Sequence, residues 1–244
     1  MSLPVFLSDA VTGASVGAPV VLDGDEGRHA ATVMRIRAGE QVVLTDGAGV
    51  SATCTVVEAA RASLSLRVDS VEHTDRALPH VTVVQAIPKG DRGELAVEML
   101  TEIDVDRIVP WAAARSVAVW RGERATKSLA KWRAAARAAA KQARRGWLPE
   151  VTEMADTDAV AGLLADADLA VVLHEDAALP LAALSLEGVE SVVVVVGPEG
   201  GLDEAELAAF TSAEVVRLGS SVLRTSTAGV AAVAALLSRT PRWS

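Results

Sequence analysis

The stretch VVVVVGPEGGLDEAEL, residues 192–207, runs five valines into a glycine turn and then into an acidic segment. In an open α/β sheet, ligands bind beyond the carboxyl ends of the strands, where glycine lets the backbone approach them closely. The turn Gly197-Pro198-Glu199-Gly200-Gly201 lacks the Gly-Lys-Ser/Thr of a phosphate loop and is not GxGxxG. Glu199, Asp203, Glu204 and Glu206 would repel a phosphate placed there. Carboxylates in a first helical turn also have a structural reason, since they complement the helix dipole. Glu199 precedes the helix and lacks that reason. The pattern suits a neutral or cationic ligand, such as an adenosine carrying a sulfonium and an amino group; the alternative is a plain tight turn.

A second candidate is RLGSSVLRTSTAG, Arg217 to Gly229. A strand ends at Leu218-Gly219, and Thr225, Ser226 or Thr227 can cap the helix that follows. Arg224 stands out, because from Glu150 to the end there are 4 basic residues against 15 acids. A third is the helical stripe Arg133, Arg137, Lys141 and Arg145. Like charges four apart destabilise an isolated helix, so an ordinary solvated face mixes signs. An unmixed stripe suits a surface that tracks phosphates. His29 lies between Arg28 and Arg35, where an RNA contact and a structural role are both open. No His or Cys spacing suggests a metal site.

The elements that must position these residues fall into two rhythms. Up to residue 71, short β-branched runs (APVVLDG, EQVVLTDGAGVSATCTVVEA, ASLSLRVDSVE) are separated by turn residues, with a hairpin around Asp46–Gly49. EGRHAATVMRIRAGE reads as a short helix entering a strand. Such spacing predicts a small barrel. Glu72–His80 is polar and contains proline, which makes it the boundary between residues 1–74 and 75–244. Beyond it, continuous apolar strands alternate with helices, as in a mostly parallel sheet covered on both faces.

Half of the 244 residues are apolar and mean hydropathy is +0.31, enough for a sizeable core. With two Phe, five Trp and no Tyr, alanine and valine must fill it. MSLPVFLSDA lacks the pattern of a secretory leader, and no apolar run reaches the ~18 residues that span a bilayer. The lone Cys54 permits no intrachain disulfide. A cytoplasmic protein with no membrane partner is expected. The net charge of −9 argues against a nucleic-acid partner until its distribution is read. Arg107 to Trp147 holds 11 of the 23 basic residues and one acid, a local +10 against −19 elsewhere. A polyanion reads such a concentration of positive charge.

Five blocks in order resemble the RsmE family of SPOUT-class RNA methyltransferases, over nearly the whole chain. They are HAATVMRIRAGE, IPKGDRGELAVEMLTEIDVDRIVPWAAARS, KQARRGWLPEV, VVVGPEGGLDEAEL and LGSSVLRTSTA. The resemblance implies a small N-terminal PUA-like β-barrel joined to a C-terminal α/β trefoil-knot domain acting as a homodimer. It implies S-adenosylmethionine as cofactor, held by Leu173, His174 and Glu175, by Gly197 to Gly201, and by Leu218, Gly219, Leu223, Arg224 and Thr225. The implied reaction is methylation of uridine nitrogen 3 in 16S ribosomal RNA of the small subunit. Arg28, His29, Arg35, Lys89, Arg115, Arg133, Arg137, Lys141 and Arg145 are the expected RNA contacts. Two departures stand out: Ser226 replaces the family's glutamate, and Lys141-Gln142 replaces its Glu-Gln.

On this reading Arg224, with Arg145 from either subunit, stabilises charge on the uracil oxygens. No residue stands out as general base, Glu199 and His29 being the nearest candidates. Rival readings are a SPOUT enzyme acting on transfer RNA, a non-catalytic RNA-binding assembly protein, and a nucleotide-binding α/β protein. The glycine turn without a lysine disfavours the last.

Overall fold

The structure, a computed structural model, describes residues 3–243. Met1 and Ser2 of the opening segment read above for a leader lie outside the described residues. The chain forms two compact units, Met1–Arg76 with Ala140–Leu148, and Ala77–Ala139 with Pro149–Ser244.

In the first unit, β1 (Val5–Leu7), β2 (Pro19–Leu22), β3 (Gln41–Thr45), β4 (Val50–Ala59) and β5 (Leu64–His73) form one sheet in the order β1-β3-β4-β5-β2. Alternation sets its core: Val42 and Leu44, Ala52, Cys54 and Val56, and Leu64, Leu66 and Val68 all point inward with Phe6. Cys54 is buried there, and desolvation, then the charge of Asp69, pushes its thiol up to about 11. The sequence predicts a short helix and then a strand over residues 26–40. The helix is present as α1 (Gly24–Arg28), prolonged by a wider turn over His29–Val33, but no strand follows it. Arg35 takes a left-handed φ of 56°, which breaks extended pairing there. The sheet also holds the segment after the long basic helix. Trp147 Nε1 donates to Thr74 O at 2.7 Å, the Leu148 amide donates to Gly47 O at 2.8 Å, and Arg76 lies over the Trp147 ring.

The second unit is a parallel sheet of β6 (His80–Ala86), β7 (Arg107–Trp111), β8 (Glu150–Val151), β9 (Leu169–Leu173), β10 (Leu179–Pro180), β11 (Ser191–Val196) and β12 (Glu214–Arg217). Their order is β10-β12-β9-β11-β6-β7-β8, and every pairing is parallel. The chain thus leaves a gap between β6 and β9 that β11 later fills. The valine run serves both faces of that slot: Val192, Val194 and Val196 enter one core, Val193 and Val195 the other.

Against the first face pack α2 (Arg92–Glu102), α3 (Glu123–Gln142) and α6 (Thr225–Leu237), through Leu100, Trp132 and Val233. Gly93 admits Trp132, since a Cβ there would sit 2.7 Å from the indole nitrogen. A Cβ on Gly229 would meet Val196 at 3.1 Å, so glycine lets α6 lie close to the sheet. The second face carries α4 (Thr157–Ala165) and α5 (Glu204–Ala209), with Leu164 and Phe210 in its core.

Two polar knots hold the amino ends of inner strands. The Arg242 guanidinium, with its side chain 3% exposed, donates to Asp106 Oδ2 at 2.6 Å, Asp104 Oδ2 at 2.9 Å and Pro79 O at 2.7 Å. Asp106 also accepts from the Val81 amide at 2.8 Å. Removing one member of such a pair leaves a buried charge alone. Arg242→Ala is therefore expected to destabilise the protein by about 3 kcal/mol in chemical denaturation, and a loss below about 1 kcal/mol would contradict the account.

Asp168 accepts from the Ser191 hydroxyl and from the Glu190 and Ser191 amides, fixing the start of β11. These bonds, the hydroxyl first, hold its carboxyl below the ordinary 3.8. A depressed folded value contributes stability above the ordinary value and loses it as pH falls through the folded one. Asp168→Asn is expected to flatten the acid limb of the stability curve below pH 3.8; a limb as steep as that of the unaltered protein would count against it.

Candidate functional site

The carboxyl ends of β9, β11 and β12 open into a cavity of about 470 Å³, within the range of small-molecule sites. Three loops wall it. After β9 come Leu173, His174 and Glu175; after β11 come Gly197, Pro198, Glu199 and Gly201; after β12 come Leu218, Gly219, Leu223 and Arg224, with Thr225 opening α6. Twelve of the residues expected to bind a cofactor thus meet in one place. Gly200 lies at the exposed tip of its turn, outside the cavity wall.

The middle loop is shaped by glycine and held by carboxylates. Gly201 has a φ of +72°, which disfavours any side chain, and its amide donates to Pro198 O at 3.0 Å. A Cβ on Gly197 would stand 3.2 Å from the Leu202 side chain. The Glu199 carboxylate accepts from the Lys89 amide at 3.2 Å and the Thr225 hydroxyl at 3.4 Å. It therefore ties the loop after β6 and the start of α6 to the glycine turn, a role that no local pattern reveals. Asp203 and Glu206 form a reciprocal capping box on α5, the helix-end role that the sequence suggested for them. Glu206, 2% exposed, also accepts from the Ala114 amide at 2.7 Å.

Sequence reasoning missed several wall residues, among them Arg92, Asp176 and Arg217. Arg92 carried a signal. It opens α2, where a cation meets the unfavourable end of the helix dipole. Among the described residues neither the Arg92 nor the Arg224 side chain has a hydrogen bond or ion pair, whereas Arg217 Nη1 donates to Ala177 O at 3.4 Å. His174 Nδ1 accepts from the Asp176 amide at 3.2 Å, which folds the loop after β9 on itself.

The residues expected to contact RNA are dispersed. Arg28 faces Asp25 at 3.5 Å, His29 packs edge-on to Phe6, and Arg35 is exposed. Lys89 is exposed, and Arg115 turns toward the glycine loop. Of the basic stripe, Arg137 is exposed on α3, while Arg133 donates to Glu153 at 2.9 Å and to Val151 O at 3.0 Å. Lys141 is paired with Glu26 at 2.7 Å, both side chains about a fifth exposed. Arg145 is half-buried just after α3, its amide donating to Ala140 O at 2.9 Å. Arg133 and Lys141 thus have their charge met within the chain. Among the described residues no cluster of His, Cys, Asp or Glu could hold a metal ion, and no helix is long and apolar enough to cross a membrane.

A profile described as an RNA methyltransferase domain matches residues 75–237, and one described as an RNA methyltransferase PUA domain matches residues 22–69. The ribosomal RNA small subunit methyltransferase E of Mycobacterium tuberculosis is 47% identical over 93% of this chain and 89% of its own. That of Bacillus subtilis is 31% identical over 88% of each.

This chain belongs to the RsmE family of RNA methyltransferases.

Its fold agrees. The Neisseria gonorrhoeae family member, solved bound to S-adenosylmethionine, superposes with a TM-score of 0.85 at 28% identity, covering 97% of this chain and 98% of that one. A Legionella pneumophila methyltransferase in complex with the same cofactor gives 0.83 at 25% identity, covering 98% of each chain. The curled sheet is thus the PUA-like barrel, and the parallel unit is the SPOUT α/β-knot domain of an RsmE protein. Because the buried Glu206 carboxylate accepts from two backbone amides, Glu206→Ala is expected to cost about 2 kcal/mol in thermal or chemical denaturation. A variant as stable as the parent would show that neither bond matters.

Proposed function

We propose that this RsmE protein transfers a methyl group from S-adenosylmethionine to nitrogen 3 of a uridine in the 16S ribosomal RNA of the small subunit. The observation that carries the reading is the glycine-shaped cavity at the ends of β9, β11 and β12, in a chain of this family. The cavity suits that cofactor chemically. The glycine turn itself carries no cation, and Glu175, Asp176 and Glu199 bring negative charge to meet a cationic ligand, while Arg92, Arg217 and Arg224 stand elsewhere on the wall.

Backbone of the loops after β9, β11 and β12 would hold the cofactor, which supplies a methyl carbon made electrophilic by the sulfonium. The protein's own share is placement and charge. The glycine turn fixes the approach of the backbone. Glu199, occupied by the Lys89 amide and the Thr225 hydroxyl, acts as a brace for the loops. Arg224, unpaired on the wall, is assigned to the uracil oxygens, where negative charge grows as nitrogen 3 loses its proton. Arg145 is assigned to the same base as the contribution of a second copy in a homodimer. The exposed cations Arg28, Arg35, Lys89 and Arg137 are assigned to the RNA backbone, and His29 to its surface. A ribosomal substrate places the work in the cytoplasm.

The test is methyl transfer from labelled S-adenosylmethionine to small subunits lacking the modification, with naked rRNA and transfer RNA alongside. A 3-methyluridine blocks Watson–Crick pairing, so a new reverse-transcription stop should mark the site on labelled subunits. Label confined to transfer RNA would overturn the substrate, and a labelled site without a stop would overturn the position. Arg224→Ala is expected to lower transfer on the order of a hundredfold with cofactor binding retained; full activity would remove Arg224 from the chemistry.

A further inference from the structure

Arg115 sits in the loop that follows β7, where an RNA contact was expected. Its guanidinium is engaged elsewhere. Nη1 donates to Gly200 O at 3.3 Å and to Leu202 O at 3.2 Å, reaching the two carbonyls that bracket Gly201. The approach is close: a Cβ on Gly200 would lie 3.0 Å from Arg115 Cβ and 3.1 Å from Arg115 O, so that one loop would have to give by a few tenths of an ångström. One residue earlier, the Ala114 amide donates to Glu206 Oε1, and the other oxygen of Glu206 accepts from the Asp203 amide at 2.9 Å. Two neighbouring residues of one loop therefore hold both halves of the segment from Gly200 to Glu206. Glu199 secures the turn from the opposite side through the Lys89 amide and the Thr225 hydroxyl.

We propose that Arg115 is a positioning residue, which holds the turn Gly197–Gly201 in the conformation that receives the cofactor. This rests on the cofactor reading of the cavity given above. Free carbonyls at Gly200 and Leu202 would let the turn rotate, because glycine populates both signs of φ. A guanidinium is suited to the task, since the two N–H bonds of Nη1 are fixed in the plane of the group and serve both carbonyls, whereas the donors of an ammonium rotate freely. The proposal also sets two roles in opposition. A guanidinium spent on the turn is not available to a phosphate, so RNA that drew Arg115 away would loosen the cofactor, and by linkage the cofactor would weaken that contact.

The experiment compares the full-length protein with Arg115→Ala and Arg115→Lys. Calorimetry measures S-adenosylmethionine binding, and hydrogen exchange follows the Gly201 amide without cofactor. For Arg115→Ala we expect about tenfold weaker cofactor binding and faster Gly201 exchange, with affinity for small-subunit RNA unchanged. Arg115→Lys should recover part of both losses. Unchanged cofactor binding and exchange in Arg115→Ala, with RNA affinity lost, would overturn the proposal and make Arg115 an RNA contact. If the unaltered protein bound no S-adenosylmethionine, the cofactor reading would fail by itself, and exchange at Gly201 would still decide whether Arg115 orders the turn.

Discussion

Strand β11 is apolar on both faces, and a strand of that kind is stable only inside a covered parallel sheet. The slot it fills lies between β6 and β9, two strands already laid down earlier in the chain. Its neighbours fix its register over Val192–Val195 on one side and Ser191–Val196 on the other. The chain must then leave the sheet at Val196, at the point where the β9 and β12 ends also open. The turn there has to clear the returning helix α6, which passes so close that Gly229 contacts Val196. A glycine turn at this place is as much a demand of the threading as of the ligand.

The turn is then stiffened by negative charge. Glu199, Asp203 and Glu206 accept from backbone amides and a hydroxyl, each bond strengthened by the charge of the acceptor. A phosphate loop achieves stiffness with a different economy: its amides are left open for the ligand. Here the amides of Lys89, Ala114, Asp203 and Glu206 are already consumed by carboxylates. That division explains how an acidic loop can form a binding wall, and why its ligand should be read by backbone shape and by groups other than phosphate.

Local patterns made the sheet order's raw material legible: the valine alternation, the glycine turn and the long alanine-rich helix each stand where periodicity placed them. What escaped is long-range or weakly patterned. Helix α4, capped by Asp156, leaves little trace in the sequence, because its nine residues carry too few polar positions to show a face. The strand expected within residues 26–40 fails on a single left-handed residue, Arg35, whose φ no composition betrays. The basic stripe is the sharper case. Spacing along α3 showed four like charges in a row, yet the partner of Lys141 is Glu26, 115 residues away in sequence, and that of Arg133 is Glu153. An i,i+4 rule sees only the helix itself.

The pairing state of each cation is therefore the better guide to its work. A salt-bridged arginine or lysine on a protein surface contributes little net stability, but its charge is no longer offered to a polyanion. Arg133 and Lys141 fall in that class, and Arg115 has its donors committed to two carbonyls. Arg92 and Arg224 stand on the cavity wall with no such commitment among the described residues, and Arg224 lies in the stretch from Glu150 to the end, where acids outnumber bases. Arg92 even opens a helix at the end where its charge is unwelcome. Arg92 thus stands against the helix dipole and Arg224 amid an acidic excess, and both line the cavity without a partner among the described residues. On the proposed reading, the uracil oxygens that gain negative charge in the reaction are the partner assigned to Arg224, and the carboxylates Glu175, Asp176 and Glu199 of the same wall are assigned to the cationic donor.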